Sequence, residues 1–484
     1  MSDRMLVFGA SRQNDCNKRR QARTISKRVE NRDSFRFTSP IHKKMRIVNR
    51  SVTVIGAGLA GCEAAWQLAL AGISVTLYEM RPHKQTVAHK SDRLAELVCS
   101  NSLKSESEYT APWLLKHELR RLDSLLMHAA RKARVPAGHA LTVDRVIFSE
   151  YVTHAMQSNP LIDLKRTEIT EIPEGKLVII ATGPLTSDAL AEQIGQLTGS
   201  NRLFFYDAIS PIVDSHSVDR AIAFEASRYD KSLDGTPDYL NCPMNKAEYE
   251  AFIDALLAGE SVPAHIPDDA PTCPFFEACL PIEELARRGR DTLRFGPMKP
   301  TGLVDPRTGR RPWAVVQLRK ENVRADSYNL VGFQNHLRFG DQQRILRLIP
   351  GLQNAEFLRY GQIHRNTYIN GPDLLDSSLQ LRTRPRIYFA GQICGVEGYV
   401  ESIATGLAAA RHIITGIRFP RRSAIGSLCH YVANANPQNY QPANITFDLL
   451  PKLENPPRDK KLRHETICKA AIESLDAYLF APVG

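Results

Sequence analysis

The sequence predicts an α/β protein in which a domain built on a parallel sheet is interrupted by an inserted α/β domain. Three observations support this prediction. A strand, a glycine-rich turn, a helix and a second strand follow one another from Ser51. Short apolar strands that end in glycine return near residues 183 and 391. Between these returns, residues 206–322 are rich in proline and aromatic residues and break the α/β rhythm.

A chain of 484 residues is long enough for two or three packed units. We therefore expect five segments along the chain. They are a basic N-terminal extension (1–50), the first part of the parallel-sheet domain (51–205), the insertion (206–322), the second part of the parallel-sheet domain (323–417) and a helical and irregular C-terminal cap (418–484).

Charge is distributed unevenly along the chain. The net charge is +11, but residues 1–50 hold 14 Lys and Arg against 4 Asp and Glu, which leaves a surplus of +1 for the rest. The basic character is thus mainly a property of the tail. Three interpretations of the tail stay open: a disordered basic arm, an organelle-targeting segment, or sequence upstream of a start at Met45.

The nine cysteines are irregularly spaced, and the chain shows no secretory signal and no paired CxxC motif. This pattern argues against a disulfide framework and against a zinc site, so we expect reduced thiols and no metal. An apolar run of about eighteen residues, as a membrane span requires, is also missing from the sequence. We therefore expect a cytoplasmic protein that does not enter a membrane.

The first structural unit is a βαβ motif. Ser51–Gly56 is a β-branched strand, Cys62–Ala71 has the small and apolar residues of a helix that packs on a sheet, and Ile73–Glu79 alternates as a second strand. A long segment with little periodicity, Met80–Pro112, follows, and then Trp113–Arg134 is predicted to form one amphipathic helix.

The turn of this motif predicts a dinucleotide site. A GxGxxG pattern is weak evidence alone, but here it lies between a strand and a helix, and an acid follows 23 residues after the first glycine. The first glycine permits the tight turn, the second lets the backbone approach a diphosphate, and the third allows close packing of the helix. The helix N-terminus then favours the phosphate charge. The predicted binding residues are Gly56, Ala57, Gly58, Leu59, Ala60, Gly61 and, for the ribose hydroxyls, Glu79.

Two later segments, in each of which a short strand again ends at a glycine, favour FAD over NAD as the dinucleotide. We call these segments the glycine returns. Thr182 and Gly183 end one short apolar strand, and Gly391 ends another that leads into a small-residue helix containing Glu401. Two returns to one nucleotide domain, separated by an insertion, are typical of two-dinucleotide-type flavoproteins. We therefore predict a Rossmann-like, two-dinucleotide-type FAD-binding domain, with Thr182, Gly183, Gly391 and Glu401 near the cofactor.

With these elements placed, the chain from about Val52 to at least Leu450 closely resembles the folate- and FAD-dependent tRNA (uracil-5-)-methyltransferase family. Nine segments carry the resemblance: GAGLAGCEAAWQLA at the nucleotide turn, YEMRP at 78–82, ELVCSNSL at 96–103, VPAG at 135–138, LFFYDAISPIV at 203–213, YLNCPM at 239–244, FFEACLPIEELARRG at 275–289, LRFGPMKPTGL at 293–303 and GQICGVEGYVES at 391–402.

The resemblance implies methylation of C5 of uridine 54 in the T-loop of tRNA. Methylenetetrahydrofolate is then the carbon donor, and FAD reduced by NADH or NADPH is the reductant. The implied partners are tRNA and folate, with no DNA expected. The related tRNA wobble-uridine carboxymethylaminomethyl enzymes share the flavin turn but are longer, which favours the methyltransferase. Two other hypotheses for the function stay open: a flavin NAD(P)H oxidoreductase without an RNA substrate, and a non-catalytic flavin-containing RNA-binding protein.

Two cysteines match functional positions of the family. Uracil C5 becomes nucleophilic when a thiolate adds to C6, so the reaction needs an accessible and activated cysteine. The resemblance implies that Cys279 is this nucleophile and that Cys99 is a second reactive thiol, which acts in removal of the C5 proton. Sequence alone does not separate the nucleophile from the base.

Two polar segments are candidates for substrate contacts. The run His364, Arg365 and Asn366 offers a ring and a cation for folate, although a structural role in a turn is an equal alternative. A basic cluster that includes Arg287 and Arg288 lies close to Cys279 in sequence and could hold an RNA backbone. The alternative for that cluster is a solvated helix face.

Overall fold

The computed structural model describes residues 51–86, 88–199, 203–232, 235–262 and 280–480, and the side chains at 203–207 and 363–365 are outside the description. The predicted N-terminal extension, 1–50, and the predicted nucleophile Cys279 therefore lie outside the described residues.

Seventeen strands occur in the described part of the chain. They are β1 (Ser51–Ile55), β2 (Ser74–Glu79), β3 (Ser102–Ser105), β4 (Arg134–Val135), β5 (Ala140–Val143), β6 (Ile162–Arg166), β7 (Leu177–Ile180), β8 (Leu203–Ala208), β9 (Ile212–Asp214), β10 (Phe224–Ala226), β11 (Tyr239–Met244), β12 (Ala314–Lys320), β13 (Ser327–Leu330), β14 (Phe357–Arg359), β15 (Ile363–Tyr368), β16 (Gln380–Leu381) and β17 (Arg384–Phe389).

Thirteen α-helices connect them in the same part of the chain. They are α1 (Leu59–Leu70), α2 (Ala111–Arg121), α3 (Leu125–Lys132), α4 (Arg145–Ser158), α5 (Asp188–Thr198), α6 (Lys246–Leu257), α7 (Ile282–Arg287), α8 (Thr292–Phe295), α9 (Phe339–Leu346), α10 (Gly371–Leu374), α11 (Tyr399–Thr415), α12 (Ala424–Asn434) and α13 (Lys460–Phe480).

The first sheet has the strand order β16-β17-β7-β1-β2-β6. All of its neighbours pair in parallel except β16 and β17, which are antiparallel. Its central strand, β1, pairs Val54 with Leu77 on one side and Ile179 on the other. Four of the five residues of β1 are buried, as expected of a strand that is covered on both faces. The predicted α/β fold with a parallel sheet is confirmed.

The second sheet has the order β10-β11-β12-β13-β9-β14 and is antiparallel throughout. One face of it packs with α6 and α7 around a core that includes Tyr249, Phe252 and Phe333. Strands β13 and β14 lie beyond residue 322, where the sequence predicts the end of the insertion. The predicted domain boundaries stay a prediction.

Strands β8 and β15 pair with each other as an antiparallel ribbon. In the sequence, β8 comes just before the strands of the second sheet and β15 comes just after them. The chain passes through β8 after the first sheet's helix α5, and it passes through β15 on its way back to β17 of the first sheet. The ribbon therefore carries the chain out of the parallel-sheet part and back into it.

A further small sheet has the order β3-β5-β4.

The prediction of one helix over Trp113–Arg134 is wrong, because the structure contains two helices there, α2 and α3. Asp123 lies between them with a φ of +55°. This left-handed conformation cannot continue a right-handed helix. Ser124 then caps the second helix, since its hydroxyl accepts a hydrogen bond from the Met127 N–H at 3.3 Å.

Helices α1 and α11 approach each other closely. A Cβ added at Gly406 would lie 2.1 Å from the carbonyl oxygen of Ala60. A real side chain at this position would require the two backbones to move apart. The glycine therefore sets the distance between α11 and the beginning of α1.

Two buried carboxyl groups join helices. Glu63 of α1 accepts hydrogen bonds from the Gln67 amide at 2.9 Å and from the Ser124 hydroxyl at 2.8 Å. Glu118 of α2 accepts the backbone N–H groups of Ala424 and Ile425 at the beginning of α12. Burial raises the pKa of Glu63 to about 7, although its hydrogen bonds act in the opposite direction.

Within the described residues, none of the helices is both long enough and apolar enough to cross a membrane.

The contact at Gly406 yields a stability prediction. We expect Gly406→Ala to lower the free energy of unfolding by about 1–3 kcal/mol, because a methyl group at a backbone contact forces the helices apart. The matched control is Gly340→Ala in α9, where an added Cβ meets no described atom within 4 Å. That control should be neutral or slightly stabilising, since alanine favours a helix. Thermal unfolding measures both variants, and equal melting temperatures would contradict the argument.

The buried carboxyl of Glu63 yields a pH prediction. Its folded pKa of about 7 lies above the unfolded value of 4.5, so the folded protein binds more protons in between. The stability that this group contributes is complete below the unfolded pKa and is lost as the pH rises through about 7, at up to about 1.4 kcal/mol per pH unit. We expect Glu63→Gln to show a shallower fall of stability between pH 5 and 7 in urea unfolding. An unchanged slope would refute the assignment.

Candidate active site

The glycine-rich turn between β1 and α1 has the geometry that the sequence predicts. Gly56 has a φ of +98°, and a Cβ added there would lie 2.6 Å from the Ala181 carbonyl oxygen. A Cβ added at Gly61 would lie 1.8 Å from the Gly56 oxygen. Neither position therefore has space for a side chain. At Gly58 an added Cβ would meet no described atom within 4 Å, so this backbone faces open space.

Helix α1 begins directly at this open space. Its N-terminal capping residue is Gly58, which offers no side-chain acceptor to the N–H groups of the first turn, and Leu59 and Ala60 are buried behind it. The free N–H groups and the helix dipole suit a diphosphate. A cleft opens here. Its lining includes Gly56, Ala57, Gly58, Glu79, Arg81, His89, Glu168, Thr182 and Ser187. The residues present therefore fit a dinucleotide.

Glu79 ends β2 at the edge of this cleft. Its carboxylate accepts the Ala57 N–H at 3.3 Å and the Nε of Arg81 at 2.9 Å. Burial acts to raise the pKa of Glu79, but the hydrogen bonds and the charge of Arg81 outweigh it and hold the pKa below its ordinary value. The group is thus a charged acceptor, as binding of ribose hydroxyls requires. Arg81, which the sequence analysis missed, also binds Glu96 at 3.1 Å.

The other predicted cofactor residues are distributed around this end of the sheet. Thr182 follows β7 and lines the cleft, while Gly183, with a φ of +67°, follows it without lining the cleft. Gly391 follows β17, and its N–H donates to the Thr405 hydroxyl at 2.8 Å. A Cβ added at Gly391 would lie 2.9 Å from the Cβ of Ala60. The structure thus places the second glycine return, at Gly391, in close contact with the beginning of α1 at Ala60.

Glu401 is fully buried in the first turn of α11. Its Oε1 atom lies 2.6 Å from the Lys104 ammonium and accepts the Ile445 N–H at 3.0 Å. These contacts join β3, α11 and the C-terminal segment. The second oxygen, Oε2, has no hydrogen-bond partner in the described chain and lies beside Gly398, where an added Cβ would be 2.4 Å away. Glu401 therefore fixes the beginning of α11.

Cys99 is half-buried in a loop that leads into β3. Its N–H donates to the hydroxyl of Tyr399 at 2.8 Å, and the Ser100 N–H donates to the same oxygen at 3.0 Å. Its carbonyl oxygen accepts from Arg145 at 3.3 Å and from Arg359 at 3.2 Å. The backbone of this cysteine is thus held by the first residue of α11, the first residue of α4 and the last residue of β14.

A third arginine completes the surroundings of this loop. Arg319 of β12 donates to the Asn101 side chain at 3.0 Å and to the Ser100 hydroxyl at 3.0 Å. Among the described carboxylates, Glu321 pairs with Arg145 at 2.8 Å. Burial lowers the pKa of Arg359 to about 10, which leaves it charged at neutral pH. Three arginines against one paired carboxylate give the loop a positive environment.

The sequence does not single out Arg145, Arg319, Arg359 or Tyr399 as residues of the site. The sequence holds no local signal for the arginines, since they come from separate segments. Tyr399 does lie within the segment GQICGVEGYVES, but its contact with Cys99 spans 300 residues.

The other described cysteines are buried, which suits a packing role for Cys62 and Cys394. Burial raises the pKa of Cys394 to about 12. Such thiols are poor nucleophiles. Of the cysteines that the structure describes, Cys99 is the accessible one.

The predicted RNA-binding arginines lie on an exposed surface at the end of α7. Arg287 forms an ion pair with Glu284, and the neighbouring Arg290 pairs with Glu250 and Asp254. Arg288 is also exposed. Acidic residues therefore offset much of the charge that the sequence pattern indicates.

The run His364, Arg365 and Asn366 lies on β15, opposite Asp207, Tyr206 and Phe205 of β8. It is therefore part of a strand and not of a turn. The side chains of His364 and Arg365 are outside the described residues. Asn366 is buried.

A family model described as "Glucose inhibited division protein A" matches residues 51–418. The protein named methylenetetrahydrofolate--tRNA-(uracil-5-)-methyltransferase TrmFO in Solibacter usitatus is 66% identical over 447 residues, which cover 90% of this chain and 100% of that protein. The protein of the same name in Koribacter versatilis is 58% identical over 443 residues, which cover 89% of this chain and 98% of that protein.

The fold is similar to that of a solved structure, GidA of Aquifex aeolicus. The TM-score is 0.61 at 15% identity, and the match covers 90% of this chain and 75% of that chain. This structural likeness confirms the fold. The assignment to a family depends on the sequence identity, which extends over nearly the whole length of the relatives. The chain therefore belongs to the methylenetetrahydrofolate–tRNA-(uracil-5-)-methyltransferase family, within the GidA-like proteins.

Proposed function

We propose that this protein methylates C5 of uridine 54 in the T-loop of tRNA, with methylenetetrahydrofolate as the carbon donor. It is a cytoplasmic FAD enzyme that takes electrons from NADH or NADPH. The observation that carries the proposal is the position of Cys99, the accessible cysteine of the described chain, in a positively charged loop. That loop lies in an enzyme whose relatives bear this activity in their names.

The chemistry requires a thiol, a base and a hydride equivalent. A thiolate adds to C6 of uracil, and C5 then bonds to the methylene carbon of the folate. Loss of the C5 proton and cleavage of the bond between the methylene carbon and the folate nitrogen release tetrahydrofolate and leave an exocyclic methylene on the C6 thiol adduct. Addition of a hydride equivalent (two electrons and a proton) turns this methylene into a methyl group, and the thiolate then departs from C6 and restores the C5–C6 double bond. Reduced FAD supplies that hydride equivalent when bound.

Cys279 is proposed as the thiol that adds to C6, and Cys99 as the second thiol, which acts in removal of the C5 proton. The surroundings of Cys99 support a reactive role. Arg145, Arg319 and Arg359 bring positive charge to its loop, and positive charge favours a thiolate. Hydrogen bonds from Arg145 and Arg359 also fix the backbone of Cys99, and Arg319 holds the neighbouring Ser100 hydroxyl, so the cysteine side chain starts from a defined position.

Cofactor contacts are proposed for three groups of residues. The turn from Gly56 to Gly61 holds the diphosphate, and Glu79 accepts hydrogen bonds from the ribose. Thr182, Gly183, Gly391 and the α11 residue Glu401 border the flavin end. The open backbone at Gly58 and the uncapped beginning of α1 support the first of these assignments.

Substrate contacts are proposed for the remaining candidates. His364, Arg365 and Asn366 bind folate, and their position on β15 supports a place beside the first sheet's glycine returns. Arg287 and Arg288 hold the RNA backbone. Because Arg287 already pairs with Glu284, binding of a phosphate there replaces one ion pair by another. The target base must also be unstacked to reach a protein thiol.

The central experiment combines the purified protein, unmodified tRNA, NADPH and labelled methylenetetrahydrofolate. We expect 5-methyluridine at position 54, and none with a tRNA that carries cytidine there. Cys279→Ala should keep the visible absorption of bound FAD and lose methylation. Cys468→Ala, which removes a buried cysteine of α13, is the control and should retain both. Wild-type protein that reduces its flavin but forms no 5-methyluridine would disprove the proposed function.

The charge around Cys99 gives a second test. Arg359→Gln keeps a hydrogen-bond donor but removes one cation, so we expect alkylation of Cys99 at neutral pH to slow by roughly 3- to 10-fold. Arg359→Lys keeps the charge and should restore most of the rate. Arg344→Gln removes an exposed arginine that pairs with Asp341, and it should have no effect. Peptide mass mapping measures the modification at Cys99, and equal rates in all four proteins would rule out the electrostatic role.

A further inference from the structure

Asn366 has an unusual environment for a buried amide. Its side chain is 1% exposed, yet both of its polar atoms, Nδ2 and Oδ1, have no hydrogen-bond partner. Among the buried asparagines of the described chain, it alone lacks a partner at both atoms. Burial of an amide without partners costs free energy, so an apolar residue would be more stable here if the position served packing alone.

A second buried asparagine shows the usual arrangement. The Nδ2 atom of Asn241 donates to the carbonyl oxygens of Phe224 and Ala226, and its Oδ1 accepts from Gln317 at 3.0 Å. Its amide thus serves the protein's own structure. The amide of Asn366 serves no contact within the described chain, which indicates that its partner is a ligand.

The backbone of β15 places Asn366 between the two glycine returns of the first sheet. On one side, the Thr367 N–H donates to the carbonyl oxygen of Pro184, directly after Gly183, at 3.0 Å. On the other side, the Ile369 N–H donates to the carbonyl oxygen of Ile393 at 2.9 Å.

The side chain also faces the second of these returns. Asn366 and Tyr368 lie on the same face of β15, because successive residues of a strand alternate between faces. The Tyr368 hydroxyl donates to the Tyr440 carbonyl oxygen at 3.2 Å, and the Tyr440 hydroxyl donates to the carbonyl oxygen of Cys394 at 2.8 Å. This face of the ribbon is therefore directed towards the turn after Gly391.

We propose that Asn366 recognises a cyclic amide edge, through two parallel hydrogen bonds. A carboxamide presents one donor and one acceptor side by side. It therefore complements a ring that carries an N–H group next to a C=O group, as asparagine complements the edge of a base. The pyrimidine ring of a flavin, the pterin ring of a folate and the uracil ring all carry this edge. That these three rings are the available ligands follows from the proposed function, and the inference rests on it. What the inference adds is that one side chain, Asn366, recognises the ring.

The test compares the full-length wild-type protein with Asn366→Leu, which keeps the branching at Cγ and removes both hydrogen bonds. Three quantities are measured: the dissociation constant for FAD by flavin fluorescence, the KM for methylenetetrahydrofolate and the KM for unmodified tRNA. We expect one of them to rise by roughly 10- to 100-fold, as loss of a paired donor and acceptor implies. A rise in the KM for methylenetetrahydrofolate supports the folate contact proposed for Asn366, whereas a rise in the FAD or tRNA constant assigns the residue to the flavin or uracil ring and refutes that contact. Asn366→Asp, which keeps the shape and the acceptor, should weaken the same ligand.

Asn241→Leu is the matched control. It should lower the melting temperature at saturating FAD, because it leaves Gln317 and two carbonyl groups without their partner. Asn366→Leu should not lower it. If Asn366→Leu lowers the melting temperature and leaves all three constants unchanged, the residue is structural and the inference is overturned. Failure of the wild-type protein to methylate tRNA would refute the proposed function, but the FAD titration would still test Asn366.

Discussion

The hydrogen bonds that hold the loop from Glu96 to Asn101 join the two large sheets of the molecule. Tyr399 of α11, beside the parallel sheet, binds the N–H groups of Cys99 and Ser100. Arg359 and Arg319, from the antiparallel sheet, bind the loop's carbonyl and side-chain oxygens. A half-buried loop without regular pairing needs such partners, since each unpaired backbone group that is shielded from water costs free energy. The position of Cys99 therefore depends on both sheets at once.

The same contacts determine the electrostatics of the cysteine. Burying three arginines in one place is unfavourable unless their charges and donors are satisfied. Carbonyl oxygens of the loop and the carboxylate of Glu321 supply much of this compensation. The net charge that remains is positive, and it lies beside a thiol. Support of the loop and the positive charge beside the thiol thus come from the same side chains, and a change to one of them affects both.

The nucleotide end of the molecule is linked to this loop by a short chain of ion pairs. Glu79, at the edge of the cleft, binds Arg81, and Arg81 also binds Glu96, the first residue of the loop. Arg81 is buried, so both contacts are protected from solvent. Ligand binding at Glu79 would therefore act on a residue that also anchors the segment with Cys99. The cofactor site and the predicted second thiol share one polar network.

The sequence by itself determined the strand, turn and helix from Ser51 to Leu70, the place of Glu79 at the end of β2 and the glycines that follow β7 and β17. These features follow local rules of periodicity and backbone conformation, which act over a few residues. Local rules failed at Asp123, where one left-handed residue divides a helix that periodicity predicts as continuous. They also overestimated the charge near Arg287, because the neighbouring Arg290 pairs with Glu250 and Asp254, which lie 40 and 36 residues away in the chain. Tertiary structure decided the surroundings of Cys99 and Asn366. Their partners, or the lack of them, depend on segments up to 300 residues apart, and such contacts leave no periodic signal in the chain.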